Sequence, residues 1–533
     1  MSATALALPS EHVVWRPKVN PWAIAATVSL AAFIEVLDTS VANVALPYIA
    51  GGLGASYDDS TWVLTSYLAA NAIVLPISGW LAELIGRKRY FMISLTIFTV
   101  CSLLCGLAPS LPLLLLFRAV QGIGGGGLQP MAQAILNDSF PPEKRGSAFA
   151  VYGITAVLAP TVGPMLGGWI TDSYSWRWIF FITLPPVLLA LFLTHMLVDD
   201  PPFLRRLKRG GIRVDYIGIS LLTLGVGSLQ ILLDKGQEDD WFGSHFITTL
   251  VITSAVCLTS LVIWEWVGKE PIIDVRMFKS FNFAAANLMM FMMGFMLFST
   301  LVLIPAFLQS LMGYTAELAG LVLSGGGIVL LLMMPIVGRL TSKIQARWLI
   351  ATGWLALAIG LFYCANQIDL FVSFNFAMWL RTAQVVGIGF LFVPITAAGY
   401  IGVPPEKGNS VSGMINFMRN IGGSIGTSVV TTMITRRAQY HQQILVGHLT
   451  PDSPAYRLAL AAVGSKIAHS GLQTKDARDQ AIARFYQLVQ RQGGALCYMD
   501  VFWVLGALCS IMFVLAFFLK KNDPGAGGDV AVG

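Results

Sequence analysis

Apolar runs of about 20 residues recur along the whole chain, parted by short charged clusters such as Gly86-Arg87-Lys88-Arg89 and Arg205-Arg206-Leu207-Lys208-Arg209. A run of that length crosses the hydrocarbon core of a bilayer as a helix, because only a helix satisfies its own backbone groups there. Repeated this often, the pattern leaves an all-α, multi-span membrane protein as the fold class. Composition agrees: 56% of the 533 residues are hydrophobic and 12% charged, against about 25% charged in a soluble domain. The net charge of +6 sits in the clusters between runs, so it signals membrane topology and not a nucleic-acid footprint. The six cysteines (Cys101, Cys105, Cys257, Cys364, Cys497, Cys509) lie in or beside apolar runs, with neither a loop disulfide framework nor metal-ligand spacing. The polar first 20 residues lead into an apolar run without a small-residue cleavage pattern, which reads as an uncleaved anchor.

Windowed apolarity predicts fourteen spans, roughly 22–45, 61–83, 90–107, 112–136, 146–170, 177–198, 215–234, 246–267, 282–311, 317–340, 348–365, 374–402, 409–433 and 496–519. An even number puts both termini on one side. The loops holding Arg87 to Arg89, Lys144 and Arg145, Arg205 to Arg213, Lys269 with Arg276 and Lys279, Lys343 and Arg347, and Lys407 all fall on that side. The positive-inside rule makes it cytoplasmic. The long segment 436–494 is also basic, but long translocated loops escape the rule.

The chain repeats itself. Phe117-Arg118-Ala119-Val120-Gln121 with Gly124 recurs 263 residues on as Leu380-Arg381-Thr382-Ala383-Gln384 with Gly387, and Pro141-Pro142-Glu143-Lys144 recurs as Pro404-Pro405-Glu406-Lys407. At an offset of 259, Pro76-Ile77-Ser78-Gly79-Trp80-Leu81 recurs as Pro335-Ile336-Val337-Gly338-Arg339-Leu340. Orientation is preserved, as in two six-helix halves related by an axis along the membrane normal, with two further spans inserted between them. The organisation expected is a tail at 1–21, a first half at 22–198, a linker with the inserted helices at 199–280, a second half at 281–519 containing an outer loop at 436–494, and a tail at 520–533.

Ionisable side chains inside spans are costly and therefore informative. Glu35 and Asp38 share one face of the first span, and Asp38 and Arg118 lie at matching depth. Either Asp38 exchanges a proton against its pairing with Arg118, or the two form a fixed structural pair; Glu35 is a second proton-coupling candidate. Gly79, Glu83, Gly86, Arg87 and Lys88 join the second and third spans around a tight turn, where Glu83 with Arg87 could act as a cytoplasmic latch, or the cluster could simply anchor the loop. Gly153, Pro160, Gly163, Pro164, Gly167 and Gly168 predict a kinked fifth span in close helix contact. An enzyme should show a metal or nucleophile constellation, and none of the six histidines has a spaced partner in a span. A channel should show a ring-forming filter, against which the two-fold repeat argues.

These motifs resemble the major facilitator superfamily, and in particular its fourteen-helix drug/proton antiporters of the EmrB and QacA kind, over nearly all of residues 22–520. Leu37 to Pro47 resembles that family's first-helix signature, residues 79–89 its loop motif, Arg118 with Gln121 and Gly122 its fourth-helix motif, and Gly153 to Gly168 its antiporter motif. Glu83 stands where the loop motif usually has Asp, and Leu84 where a basic residue is common. Trp176 to Phe181 and Asn416 to Gly426, with Arg419, resemble the EmrB subgroup. The resemblance implies proton-driven export of lipophilic or amphipathic compounds from the bacterial inner membrane, without a cofactor or metal. It also implies a periplasmic adaptor of the EmrA kind docked on 436–494 and an outer-membrane channel of the TolC kind, although QacA-like relatives work alone. A nutrient importer of the same superfamily should lack the fifth-helix pattern and show more polar side chains along its path. Candidates for the substrate path are Asn43, Gln121, Gln384, Arg381, Asn416 and Arg419, with Met293 and Phe295 from a Met- and Phe-rich ninth span that offers an adaptable apolar wall.

Overall fold

The computed structural model describes residues 17–200, 215–268, 271–404, 407–447, 449, 453–468 and 474–520. The cluster at Arg205 to Arg213, Lys269, Pro405-Glu406 and most of both tails lie outside the described residues. Regular structure among the described residues is helical. The longer helices are α1 (Pro21–Leu53), α2 (Tyr57–Ile85), α3 (Arg87–Leu107), α4 (Leu111–Gly125), α5 (Leu128–Ser139) and α6 (Pro142–Ser173). A single turn, α7 (Trp178–Phe181), precedes α8 (Leu184–Leu197), α9 (Tyr216–Lys235), α10 (His245–Val267), α11 (Phe281–Ser310) and α12 (Ala316–Thr341). They are followed by α13 (Ala346–Gln367), α14 (Phe374–Gly399), α15 (Gly408–Gly447), α16 (Pro454–Ala468) and α17 (Thr474–Ala516).

Local chemistry places the ends. Asn20 caps α1 by accepting from the Trp22 amide at 3.0 Å, with Pro21 in the first turn, and the helix stops at Gly54, whose φ of +64° suits glycine. Ser56 caps α2 from Asp59 N at 3.0 Å, and Asp58 and Asp59 sit against the positive helix end. Prolines inside α1, α2, α6, α11, α12 and α14 are accommodated, as in other membrane bundles where neighbours satisfy the freed carbonyls.

Twelve helical segments among the described residues are long and apolar enough to cross a bilayer, and α6 makes a thirteenth when its two parts count as one. The protein is therefore a multi-pass membrane protein. The run expected at 112–136 divides into α4 and α5 at Gly126-Gly127. The run expected at 409–433 is the inner part of α15, whose Gly, Ser, Asn and Arg content lowers its apolarity because its faces pack on α2, α5, α11 and α17. The outer segment expected as a loop at 436–494 is largely helical: α15 continues unbroken to Gly447, and the stretch from Thr474 runs straight into the last span as α17. Between them α16 packs on α17, with Tyr456 edge-on to Phe485 at 5.7 Å. Asp500 ties the base of this extension by accepting from Arg437 Nε at 2.7 Å and pairing with His441 Nε2 at 2.6 Å.

The two halves meet through α6 against α12 and α2 against α15. On the side of the basic loops the backbones touch. A Cβ on Gly146 would lie 2.4 Å from the Gly338 carbonyl oxygen, and one on Gly79 would lie 2.8 Å from the Ser410 backbone. Further along α6, Gly163 and Gly167 lie against Ser40 and Val41 of α1. The inserted pair α9 and α10 pack on each other, and α9 leans on both halves. Asp234 accepts from Thr65 of α2, Lys235 donates to the Asp58 carbonyl at 3.2 Å, and Gln230 accepts from Ser424 of α15 at 3.0 Å.

Candidate functional site

The first helix carries two carboxylates into the bundle, and the structure gives each its own surroundings. Asp38 Oδ2 accepts from Arg118 Nη1 at 2.5 Å and Oδ1 from Gln121 Nε2 at 3.2 Å. Arg118 also donates Nε to the Val63 carbonyl at 3.2 Å, and its guanidinium lies 4.6 Å from the centre of the Tyr67 ring. Both partners are almost wholly buried. In so dry a site the two charges offset each other's desolvation, and either one left alone would be costly.

Glu35, one turn earlier, does not share this arginine. Its Oε1 accepts from Tyr67 Oη at 3.1 Å and Asn71 Nδ2 at 3.0 Å, and its Oε2 from Gln129 Nε2. The other end of Gln129 accepts from Tyr152 Oη at 3.2 Å and from the guanidinium of Arg419. Arg419 belongs to α15, so Gln129 relays between a carboxylate of the first half and a cation of the second. Next to it, Asn416 Nδ2 donates to Gln133 Oε1 at 2.9 Å and Ser412 Oγ to the Pro130 carbonyl at 2.7 Å. The sequence names Arg419 only as a substrate-path candidate and does not single out Gln129, Tyr67, Asn71 or Tyr152. Their signal was present as polar side chains inside apolar runs, but an uncharged Gln gives no hint of which half it will serve.

The remaining candidates are spread more widely. Arg381 donates to Gln384 Oε1 at 3.3 Å in the second half. Met293 and Phe295 are buried within the bundle, and of the Met/Phe-rich stretch from Met289 to Phe298 only Phe291, Met292 and Phe298 are partly exposed. Asn43 is exposed on α1, apart from both carboxylate clusters. Of the α6 glycines, Gly153 lies against Met334 and Phe392, whereas a Cβ on Gly168 would meet nothing within 4 Å.

The expected Glu83–Arg87 pairing is corrected. Arg87, buried at the start of α3, forms its ion pair with Asp138 at the end of α5 and donates to the Ala134 carbonyl at 3.2 Å. The turn at Gly86, with φ +97°, sends Arg87 away from α2, where Glu83 remains within the field of Lys407 and Arg87. Lys88 caps the neighbouring α8 through its Nζ to the His195 carbonyl at 2.8 Å. Asp138→Asn strands a buried guanidinium and is expected to cost about 3–5 kcal/mol. Glu83→Gln is expected to cost far less. Thermal unfolding of the two purified variants checks the assignment, and equal losses would refute it.

Residues 28–427 match the Major Facilitator Superfamily. The chain belongs to that superfamily. It is 36% identical over 500 residues to the multidrug export protein EmrB of Escherichia coli K12, covering 94% of this chain and 95% of that protein. It is 38% identical over 490 residues to the multidrug export protein EmrB of Haemophilus influenzae, covering 91% and 94%. Among solved structures, the proton:xylose symporter XylE superposes with a TM-score of 0.60 at 14% identity, covering 95% of this chain and 97% of that one. At that identity the likeness is one of fold. The superfamily's two-half architecture accounts for the repeat of Arg118-Gln121 as Arg381-Gln384.

Proposed function

We propose that the chain is a multidrug efflux transporter that exports hydrophobic or amphipathic compounds across the bacterial inner membrane in exchange for protons. The observation that carries the reading is the pair of buried carboxylates on α1, one answered within its own half by Arg118 and the other answered across the bundle by Gln129 and Arg419. A proton on Asp38 frees Arg118 and Gln121. A proton on Glu35 weakens the hydrogen bond that links the halves through Gln129. Protonation is thereby tied to the packing of one half on the other, which is what alternating access by rocking halves requires. In this conformation the halves touch backbone to backbone at Gly146–Gly338 and Gly79–Ser410 on the basic-loop side. The positive-inside rule supports reading that side, and with it both termini, as cytoplasmic; on this reading the packing closes the cytoplasmic entrance.

The similarity to EmrB proteins supports drugs as cargo, and the α15–α16–α17 extension offers a docking element for a periplasmic adaptor that would hand substrate to an outer-membrane channel. The functional division keeps 22–198 and 281–519 as the moving halves and 199–280 as their linker.

The test is proton release from energised everted vesicles on addition of a lipophilic cation such as ethidium. The native chain is expected to release protons in proportion to ethidium taken up. Uptake without proton movement would remove the antiport reading.

A further inference from the structure

The two halves repeat each other across the turn between their second and third spans, and they differ in what answers its basic residues. At the offset of 259, Arg87 and Lys88 at the start of α3 fall on Ala346 and Arg347 at the start of α13. In the first half the protein answers both cations itself. Arg87 pairs with Asp138, while Lys88 donates to the His195 carbonyl at 2.8 Å and lies 3.9 Å from Asp199, just past the end of α8, the last helix of that half. In the second half the corresponding helix end carries a cation instead. Phe517, which follows α17, meets Trp348 edge-on at 5.6 Å and so brings Lys520 to the same end of the bundle as Arg347. Lys343 lies four residues before Arg347, between α12 and α13. Residues 339–365 and 501–520 contain no Asp or Glu, and no ion pair among the described residues includes Lys343, Arg347 or Lys520. Both lysines are exposed, and the buried Nε of Arg347 has no hydrogen-bond partner. Three cations gathered at one place repel one another, and an anion from outside reverses the sign of that term.

The surroundings of the three cations are apolar on the membrane side. The Arg347 guanidinium lies 5.3 Å from the centre of the Trp348 ring, which is half-exposed. From this end exposed apolar residues run along both helices at helical spacing: Trp348, Leu355 and Ile359 on α13, and Phe518, Val514 and Ile511 at the end of and on α17. Ring contacts at Trp348–Phe517 and Phe362–Trp503 keep the two helices side by side. A soluble anion would use the charges alone, whereas a two-chain lipid uses the charges and both stripes.

We propose that Lys343, Arg347 and Lys520 form a site for the phosphate of an anionic diacyl phospholipid, drawn from the leaflet on the basic-loop side, with its acyl chains along α13 and α17. The guanidinium fork takes two phosphate oxygens at once, the lysines add point charges beside it, and an indole at the level of the head groups is favourable. The lipid supplies to the second half the negative charge that Asp199 supplies to the first. The site goes beyond the exporter reading and does not depend on it, since it concerns what holds the last helix in place.

The experiment adds dioleoyl phosphatidylglycerol, dioleoyl phosphatidylcholine or inorganic phosphate to the full chain in uncharged detergent. Ligand-induced rise in unfolding temperature reports binding. Phosphatidylglycerol is expected to stabilise the native chain, with its half-saturating concentration raised about fivefold in Lys343→Gln or Lys520→Gln and at least about tenfold in Arg347→Gln. Lys144→Gln removes an exposed charge from another loop on the same side and is expected to leave that concentration unchanged. The two exposed lysines carry the test should Arg347→Gln not fold. No stabilisation by phosphatidylglycerol, or equal stabilisation by phosphatidylcholine, overturns the site. Stabilisation by inorganic phosphate that matches phosphatidylglycerol assigns the cations to a soluble anion and overturns the lipid. A loss in Lys144→Gln equal to that in Lys343→Gln shows attraction by the whole charged face, and also overturns it.

Discussion

Asp38→Asn is expected to abolish drug-driven proton release in everted vesicles and to lower the stability of the purified protein by about 3–5 kcal/mol, because Arg118 stays buried without its counter-charge. Those two effects have different meanings and can be separated. If the pair is only a strut, the double variant Asp38→Asn/Arg118→Gln removes both charges, recovers stability and recovers exchange with it. If Asp38 carries the proton, the double variant recovers stability and stays inactive. The residues around the pair favour the second result. Gln121 bonds both partners, and Tyr67 contacts both the Arg118 guanidinium and Glu35, so a change at Asp38 is felt at the second carboxylate.

Gly146→Val is expected to lose transport by a different route, with both carboxylates intact. The new side chain would be driven into the Gly338 carbonyl, and reciprocally a Cβ on Gly338 would lie 2.7 Å from the Gly146 carbonyl, so neither backbone can give way cheaply. An overpacking cost of about 3 kcal/mol, borne only by the conformation in which α6 and α12 touch, shifts the two-state ratio by about a hundredfold toward the other. Transport should fall to background while drug binding persists. Reaction of a cysteine placed at Ser410 with a membrane-impermeant thiol reagent applied from the basic-loop side should rise, and the six native cysteines, all buried, contribute little background. Gly168→Val, in the same helix but facing open space, should remain within about twofold of the native rate. Loss of transport in both variants would show that the glycines of α6 act through helix flexibility and not through close packing.

The all-helical, multi-span fold was legible because a bilayer leaves few choices: apolar length, loop charge and a preserved repeat are written locally. Asp38 with Arg118 was legible for a related reason, since two ionisable residues at equal depth in apolar helices have little else to pair with. Pairings that depend on where a loop sends the chain were not legible. Glu83 and Arg87 are neighbours in sequence, yet the glycine turn between them sends Arg87 to Asp138 on α5. Gln129 was passed over because its importance comes from α15, far along the chain, and no periodicity within α5 encodes that contact. The extents of α15 and α17 were underestimated for a third reason. Apolarity marks where a helix is in the membrane, and these two continue as helices beyond it.

The placement of α9 has a consequence for how cargo arrives. By holding α2 through Asp234 and Lys235 and α15 through Gln230, it hangs like a curtain over one of the two clefts between the halves, whereas among the described residues the inserted pair does not pack on α6 or α12 at the opposite cleft. A compound dissolved in the membrane thus meets an asymmetric molecule with a shuttered flank and an unshuttered one. Sideways loading from the lipid is expected through the α6–α12 flank alone.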